Sequence, residues 1–387
     1  MTKYQVCVVG GCGRAGFPLA LVLASRNIRV VIYDHDKNAV ETVTKGRIPF
    51  VEKGTQELLD HTLNKTLTVT TDPAVIENSE TVIFCIGTPS QGHVDPEQSN
   101  LLTCIKEVES YLSITQTLII RSTIFPGMTE YLQHHFKPQG FTFCYCPERI
   151  SEGNAIQELI ELPQIIAAFN EDDYQACEEL FRFASKEQIR LPPLEAEFAK
   201  LFNNSWRYVK FAVANQFYRM STNAGADFEQ IAHAMRYHYP RARDFPTAGF
   251  TGGPCLYKDS EHLNTYNPCP FLQAAIEINQ TMPEYIIKHL KRSHDLKTMT
   301  IGILGMAYKK DVDDIRNSLS FKLKDLLLKE GAKVLYSDTY WKDENSVNKY
   351  QLVNDSDLII IGCSHEEYEV LDLKGKSVLD LWEIQES

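Results

Sequence analysis

Two hydrophobic periods alternate along this chain. Tyr4 to Val9 is an apolar, β-branched run that ends in a glycine turn. Phe17 to Ser25 then carries helical apolar spacing, and Arg29 to Tyr33 is a second apolar run ending at Asp34. Short runs bounded by glycine or an acid predict strands, so the segment reads as a βαβ unit. Further strands are predicted at Leu67–Thr70, Thr81–Ile86, Thr117–Arg121 and Thr142–Cys146, with Pro163–Phe169 closing this half. Strands alternating with helices imply a parallel, doubly wound sheet.

The pattern changes at Leu194. From there to about Ala224 the chain has no Pro or Gly, and Phe198, Leu201, Phe202, Trp206, Val209 and Val213 form an apolar stripe at helical spacing. A helix of that length spans ~45 Å. Core packing accounts for the stripe; a spine between two lobes is the other reading. More helix is predicted to about Tyr239, then a glycine-rich loop, then helices to Ser293. At Met299 a new α/β pattern begins, with strands at Thr300–Leu304, Lys333–Tyr336, Leu358–Gly362 and Ser377–Asp380 and a helix at Phe321–Lys329. The expected fold class is α/β, with two Rossmann-like doubly wound parallel-sheet domains joined by a helical middle region and its long central helix. The expected domains are 1–192 (dinucleotide binding), 193–296 (helical, carrying the glycine-rich loop) and 297–387 (second nucleotide fold).

Composition narrows the function. The 387 residues are 43% hydrophobic, which suits two or three globular cores. A net charge of −12 argues against a nucleic-acid partner. No signal peptide is read at the N-terminus and no apolar run is long enough to span a bilayer, so a cytoplasmic protein is expected. The ten cysteines lack CxxC spacing, so no metal site is expected, and buried thiols in a reducing compartment are the ordinary reading.

Two loops carry chemistry. Gly11, Gly13 and Gly16 fit a GxGxxG fingerprint after a strand and before a helix: tight turn, close approach of a pyrophosphate, close helix–strand packing. Asp34 stands where a carboxylate accepts hydrogen bonds from an adenosine ribose, and no Arg follows it immediately, so NAD is expected over NADP. The second loop is Gly249-Phe250-Thr251-Gly252-Gly253-Pro254-Cys255-Leu256-Tyr257-Lys258-Asp259. Lys258 and the backbone would favour the charged form of Cys255, the useful nucleophile. Gly252 and Gly253 would let a substrate approach the main chain, and Asp259 lies one helical turn beyond the thiol. A tight turn with a buried cysteine explains this loop equally well when it is taken alone. Together the loops suggest hydride removal onto a nicotinamide while a sulfur holds the oxidised carbon.

With these loops in place the chain resembles the nucleotide-sugar 6-dehydrogenases, which oxidise UDP-glucose, UDP-N-acetylhexosamines or GDP-mannose to uronic acids. The resemblance runs nearly end to end. Val82–Pro89 resembles the strand and Thr-Pro turn near the nicotinamide ribose, which implicates Thr88. Arg121–Thr129 resembles the Ser-Thr-x-x-x-Gly segment, Pro147–Gly153 the Pro-Glu loop, Ala199–Asn204 the Lys and Asn of the central helix, and Tyr308–Ser318 the opening of the C-terminal domain.

The resemblance implies a role for each. Lys200 and Asn204, spaced i,i+4 on one helix face, would stabilise an alkoxide as hydride leaves. Glu152 would lie near the hydrolytic water and Glu148 near the thiol, with Thr123 and Asp259 orienting that water. Thr123 and Glu152 would also face the cofactor. Glu148, Arg149, Lys200, Asn204, Gly252, Lys309 and Arg316 would contact the UDP-sugar, Arg316 at the diphosphate or uridine. Arg241 would reach a neighbour's sugar across a homodimer interface built on the central helix. The implied reaction is two NAD-dependent oxidations of a C6 alcohol, through a Cys255 thiohemiacetal and then a thioester that water releases as the acid. The bland readings are a solvated Lys200, a packing Asn204, surface glutamates, and an Arg316 salt bridge to Asp313 or Asp314.

The chain departs from UDP-glucose enzymes at the nucleophile, with Gly-Gly-Pro-Cys in place of Gly-Gly-Ser-Cys and Tyr257 in place of Pro before Lys258. Its Pro-Glu-Arg loop and Leu162-Pro163-Gln164 resemble members acting on N-acetylated UDP-sugars. Arg14 has no functional account at this level. Two competing readings are a single-step hydroxyacid dehydrogenase of the 6-phosphogluconate type, which needs no thiol, and a non-catalytic nucleotide-sugar binder.

Overall fold

A computed structural model of the chain describes residues 3–88, 100–136, 140–373 and 375–384. The chain forms two compact units, Met1–Asn203 and Asn204–Ser387.

The first unit holds β1 (Tyr4–Val9), α1 (Gly16–Ser25), β2 (Val30–Tyr33), α2 (Lys37–Thr44), α3 (Thr55–Thr62), β3 (Leu67–Thr70) and β4 (Ser79–Phe84). It continues through α4 (Asn100–Val108), β5 (Thr117–Ile120), α5 (Met128–Phe136), β6 (Thr142–Tyr145), α6 (Ala155–Glu161), β7 (Gln164–Ala168), α7 (Glu171–Phe181) and β8 (Gln188–Leu191). The strands form one sheet in the order β3-β2-β1-β4-β5-β6-β7-β8. The inner strands are buried on both faces, which is why they read as continuous apolar runs rather than alternating ones. Val6, Val8 and Ile32 pack with α1 on one face, while Cys7, Val9 and Val31 pack with α4 and α5 on the other.

Two features differ from the sequence reading. β7 pairs antiparallel with β6, through Cys144–Ala168 and Tyr145–Ala167, where an all-parallel sheet was expected. β8 was not anticipated at all. Its Gln-Ile-Arg-Leu sequence has no buried residue, so the strand carries no apolar signature. Its register comes from backbone pairing with β7.

α8 (Pro193–Asn223) runs 31 residues, from the first unit into the second. Pro193 opens it, where the missing N–H costs nothing. The second unit adds α9 (Phe228–Arg236), α10 (Leu256–Tyr266), α11 (Pro270–Gln280), α12 (Met282–Leu290), β9 (Thr300–Leu304), α13 (Leu319–Lys329) and β10 (Lys333–Ser337). It ends with α14 (Lys349–Asp355), β11 (Leu358–Ile361), α15 (Glu366–Glu369) and β12 (Ser377–Asp380). Its four strands form an all-parallel sheet in the order β10-β9-β11-β12. Ala214 and Tyr218 of α8, Met282 and Ile286 of α12, and Ile301, Leu319 and Leu323 share one core. That core draws on residues from both sides of position 296. Among the described residues no helix is long and apolar enough to cross a membrane.

Phe181, fully buried on α7, sits beneath the Arg121 guanidinium at 5.5 Å. Phe181→Ala is expected to destabilise the first unit by about 3–5 kcal/mol. Urea denaturation followed by fluorescence measures this; a change under about 1 kcal/mol would contradict the packing described.

Candidate active site

The turn after β1 is crowded. Gly10 adopts φ +73°, and a Cβ there would lie 2.8 Å from the Cys85 carbonyl oxygen. At Gly11 a Cβ would meet the Val8 oxygen at 2.8 Å and Ile32 at 2.9 Å; at Gly16 it would meet the Gly11 Cα at 2.8 Å. Gly13 differs, with only the Gly10 oxygen nearby, at 3.4 Å. Three glycines thus serve chain packing, while Gly13 leaves open backbone at the start of α1, as a pyrophosphate requires. Asp34, buried at the end of β2, accepts the Cys12 N–H (2.9 Å) and the Asp36 N–H (3.0 Å). That locks the turn to the acid expected to hold a ribose, and the donor set fits a dinucleotide. Gly10 escaped the sequence reading, although its place after β1 was the available signal. Thr88 is half-buried after β4, and Pro89 of the expected Thr-Pro turn lies outside the described residues.

Ser122 joins the ends of two strands by accepting the Ile86 N–H at 2.7 Å and donating to the Phe84 oxygen at 3.3 Å. Thr123, next in the chain, is half-buried. Glu197 of α8 grips the end of this segment, accepting the N–H groups of Gly127 and Thr129 at 2.6 Å each. Burial pushes the Glu197 carboxyl up, against these donors. Its function was missed in the sequence, where an acid in an otherwise ordinary helical turn gives no sign of its partners.

Lys200 is buried, and its Nζ donates to Glu148 Oε1 at 3.0 Å. Glu148 Oε2 accepts the Ile150 N–H at 2.9 Å. Burial is the largest influence on Glu148 and opposes its charge. The Lys200 pair, the Arg121 charge and the Ile150 N–H outweigh it together, so the carboxyl sits below its ordinary range. Arg149 donates to the Pro163 oxygen. Glu152 lies 3.5 Å from Arg14 Nη1, and the Arg14 guanidinium rests 4.8 Å over the Phe50 ring. Arg14 thus gains a structural account that the sequence lacked.

In the second unit, Cys255 is the only exposed cysteine of the ten. It caps the N-terminus of α10 without a side-chain capping bond. The positive end of the helix dipole there favours negative charge on the sulfur. By contrast, burial pushes the Cys7, Cys12 and Cys85 thiols up to about 12. One turn on, Asp259 is 1% exposed, and its N–H donates to the Cys255 oxygen at 2.9 Å. Asp259 Oδ2 accepts from Asn204 Nδ2 at 2.6 Å, and Oδ1 lies 3.5 Å from Lys258 Nζ. Lys258 therefore sits beside a carboxylate and is not a bare cation facing the thiol.

The glycines of the cysteine loop differ from expectation. A Cβ on Gly252 would lie 2.6 Å from the Asn317 oxygen, and one on Gly253 2.4 Å from the Tyr308 ring. Gly253 N–H also donates to the Asn317 oxygen at 3.1 Å. Protein fills the space that the sequence reading left for substrate, so these glycines let the cysteine loop pack on the 308–318 segment. Arg316 chelates Asp314 through Nε and Nη2 at 2.7–3.0 Å and remains largely exposed. Lys309 is half-buried. Arg241 is exposed, with its Nε bonded to the Tyr239 hydroxyl at 2.8 Å.

A carboxyl whose folded-state value is depressed stabilises the fold above its unfolded value, about 4.3. That contribution is lost as pH falls through the folded value. Glu148→Gln, which leaves Lys200 buried without its counter-charge, is expected to cost about 3–5 kcal/mol at pH 7. Its Tm should fall less steeply than that of the unsubstituted protein on acidification below about pH 4. Parallel Tm–pH curves would contradict the ion pair.

Three domain models of the UDP-glucose/GDP-mannose dehydrogenase family match in order: the NAD binding domain at residues 4–185, the central domain at 194–281 and the UDP binding domain at 302–386. A UDP-N-acetyl-D-mannosamine dehydrogenase of Methanococcus aeolicus is 28% identical, over 98% of this chain and 93% of its own. The structure of the UDP-D-ManNAc dehydrogenase of Pyrococcus horikoshii matches with a TM-score of 0.90 at 26% identity, over 99% of this chain and 96% of that one. The UDP-N-acetyl-mannosamine dehydrogenase of Staphylococcus aureus gives 0.87 at 26%, over 99% and 95%. The matched UDP binding domain separates this chain from the single-step 6-phosphogluconate type. The ordered domains, the NAD-type turn and the second parallel sheet together make this chain a member of the UDP-glucose/GDP-mannose dehydrogenase family, an NAD-dependent oxidoreductase of nucleotide sugars.

Proposed function

We propose that the chain oxidises the C6 alcohol of a UDP-N-acetylhexosamine to the uronic acid in two steps, with UDP-N-acetyl-D-mannosamine as the first candidate and UDP-glucose as the second. The observation that carries this reading is Cys255, the one exposed thiol, at the N-terminus of a helix whose first turn is pinned by Asn204 and Asp259.

Gly11, Gly13, Gly16, Asp34 and Thr88 would hold NAD, Thr123 and Glu152 would face it, and the bound cofactor would supply the hydride acceptor. Lys200 and Asn204 donate hydrogen bonds to the C6 oxygen as its proton and a hydride leave, giving the aldehyde. The Cys255 thiolate adds to that carbon, a C–S bond forms, and the oxygen takes a proton. Loss of a second hydride and a proton leaves the thioester. Glu152, with Thr123 and Asp259, orients a water whose oxygen attacks the acyl carbon, and the C–S bond breaks with the thiolate as leaving group. Glu148 holds the Lys200 charge. One alcohol, two NAD⁺ and one water thus become one carboxylate, two NADH and three protons. Arg149, Lys309 and Arg316 complete the contacts to the UDP-sugar.

The unit of function in this reading is a homodimer. Phe202, Trp206, Val213, Phe217 and Met220 are exposed along α8, an apolar stripe that a second copy would cover. Arg241 then reaches the partner's sugar. Domain limits near 192 and 296 and a cytoplasmic setting belong to the same proposal; ten free cysteines suit a reducing compartment. The net charge of −12 disfavours a nucleic-acid partner.

UDP-N-acetyl-D-mannosamine with NAD⁺ is expected to yield two NADH per sugar, with other UDP- and GDP-sugars turning over more slowly. Cys255→Ser should release no uronate. One NADH per sugar, or full uronate production by Cys255→Ala, would overturn the thiol mechanism, and tight UDP-sugar binding without NADH would support a non-catalytic binder. Trp206→Glu should convert the dimer to monomer by sedimentation velocity; an unchanged dimer would place the interface elsewhere.

A further inference from the structure

We infer that Glu52, a residue outside every motif above, is a positioning residue for the hydrolytic half of the reaction. The inference rests on the reading of Glu152 in the proposed function.

Glu52 lies between α2 and α3 and is 4% exposed. Its two carboxylate oxygens divide between two backbone donors of the Pro-Glu loop. Oε2 accepts the Gly153 N–H at 2.8 Å, and Oε1 accepts the Ala155 N–H at 2.9 Å. The Gly153 N–H belongs to the peptide unit that follows Glu152 directly, so the first bond fixes the plane from which the Glu152 side chain departs. Gly153 itself adopts φ +86°, a conformation that needs holding. The second bond reaches the first residue of α6, whose N-cap, Asn154, makes no side-chain capping bond. Glu52 supplies the missing cap from about a hundred residues away in the chain.

The same short segment touches the other end of Glu152. Phe50 lies under the Arg14 guanidinium, and Arg14 stands 3.5 Å from Glu152 Oε2. Backbone and carboxylate of Glu152 are therefore both braced by residues 50–52, and Arg14 belongs to the cofactor turn. Glu52 is pinned in its turn by Thr55, whose hydroxyl donates to the Glu52 carbonyl oxygen at 2.7 Å. Both contacts need a carboxylate. A carboxamide offers one acceptor and sets an NH₂ donor against a backbone N–H.

The consequence concerns one step. Water attack on the acyl carbon needs Glu152 placed to within a fraction of an ångström, whereas the two hydride transfers do not use it as an acid or base. Glu52→Gln should preserve the rapid first formation of two NADH per site, lower steady-state kcat by roughly 10- to 100-fold, and lower KM for the sugar with it, so that kcat/KM is unchanged. Glu52→Asp should recover part of the loss. Rapid-quench kinetics with UDP-N-acetyl-D-mannosamine and NAD⁺ read the burst and the steady state separately. Thermal melts normalise for folded protein, and Thr55→Val, which frees Glu52 from its own anchor, carries the test if Glu52→Gln does not fold. A melting change with unchanged kcat per folded enzyme, or a loss shared equally by burst and steady state, would overturn the inference. Glu152→Gln separates the two levels. If it stalls and Glu52→Gln does not, positioning by Glu52 fails alone; if Glu152→Gln turns over normally, the hydrolytic reading fails first.

Discussion

The hydrogen bond from Asn204 to Asp259 is the interaction on which the proposed nucleophile depends. Asp259 is nearly inaccessible to solvent, and a buried carboxyl group is costly unless hydrogen-bond donors meet it. Asn204 on α8 supplies one at 2.6 Å, and Lys258 brings positive charge to the other oxygen. That bond ties the first turn of α10 to the long helix, and the first turn carries the thiol. Cys255 can stay exposed because its neighbour is not. A nucleophile on a free loop would spend its time away from the reacting carbon. Here the backbone that presents it is fixed by α8 on one side and by Tyr308 and Asn317 on the other.

The first unit solves a similar problem with carboxylates. Asp34, Glu52 and Glu197 are all buried, and each accepts two backbone N–H groups from a turn or loop. A carboxylate that accepts two such bonds holds a loop in one conformation more strongly than a neutral acceptor does. The loops so held carry the dinucleotide turn, Glu152 and Thr123. Residues without a chemical step in the proposed reaction therefore determine where the groups proposed to react stand. Lys200 belongs to the same economy: its charge is balanced by Glu148, which stays ionised despite burial because Lys200 and Arg121 are near.

The fold was legible where local rules decide it. The βαβ opening, the length of α8 and the second parallel sheet follow from apolar period and turn residues. β8 was hidden because its residues are not buried, and the antiparallel β6–β7 pair because period does not encode direction. At the site, residue types were legible and their partners were not. Gly13 reads as an approach point and has open space around it, whereas Gly252 and Gly253 serve contacts with Asn317 and Tyr308, more than fifty residues away. Glu52 and Glu197 carry no motif because their partners are backbone N–H groups, which every residue type but proline offers. Arg316, exposed and chelating Asp314, matches the bland reading in this structure, while the family resemblance assigns it to the nucleotide.

The central claim is that Cys255 carries the sugar covalently between the two oxidations. Acid-quenched turnover with UDP-N-acetyl-D-mannosamine and NAD⁺, followed by proteolysis and mass spectrometry, tests it most directly. The account predicts an acyl adduct of the UDP-sugar on the peptide containing Cys255 and on no other cysteine peptide. Turnover to the acid with that peptide unmodified throughout, or with the adduct on another residue, would contradict it.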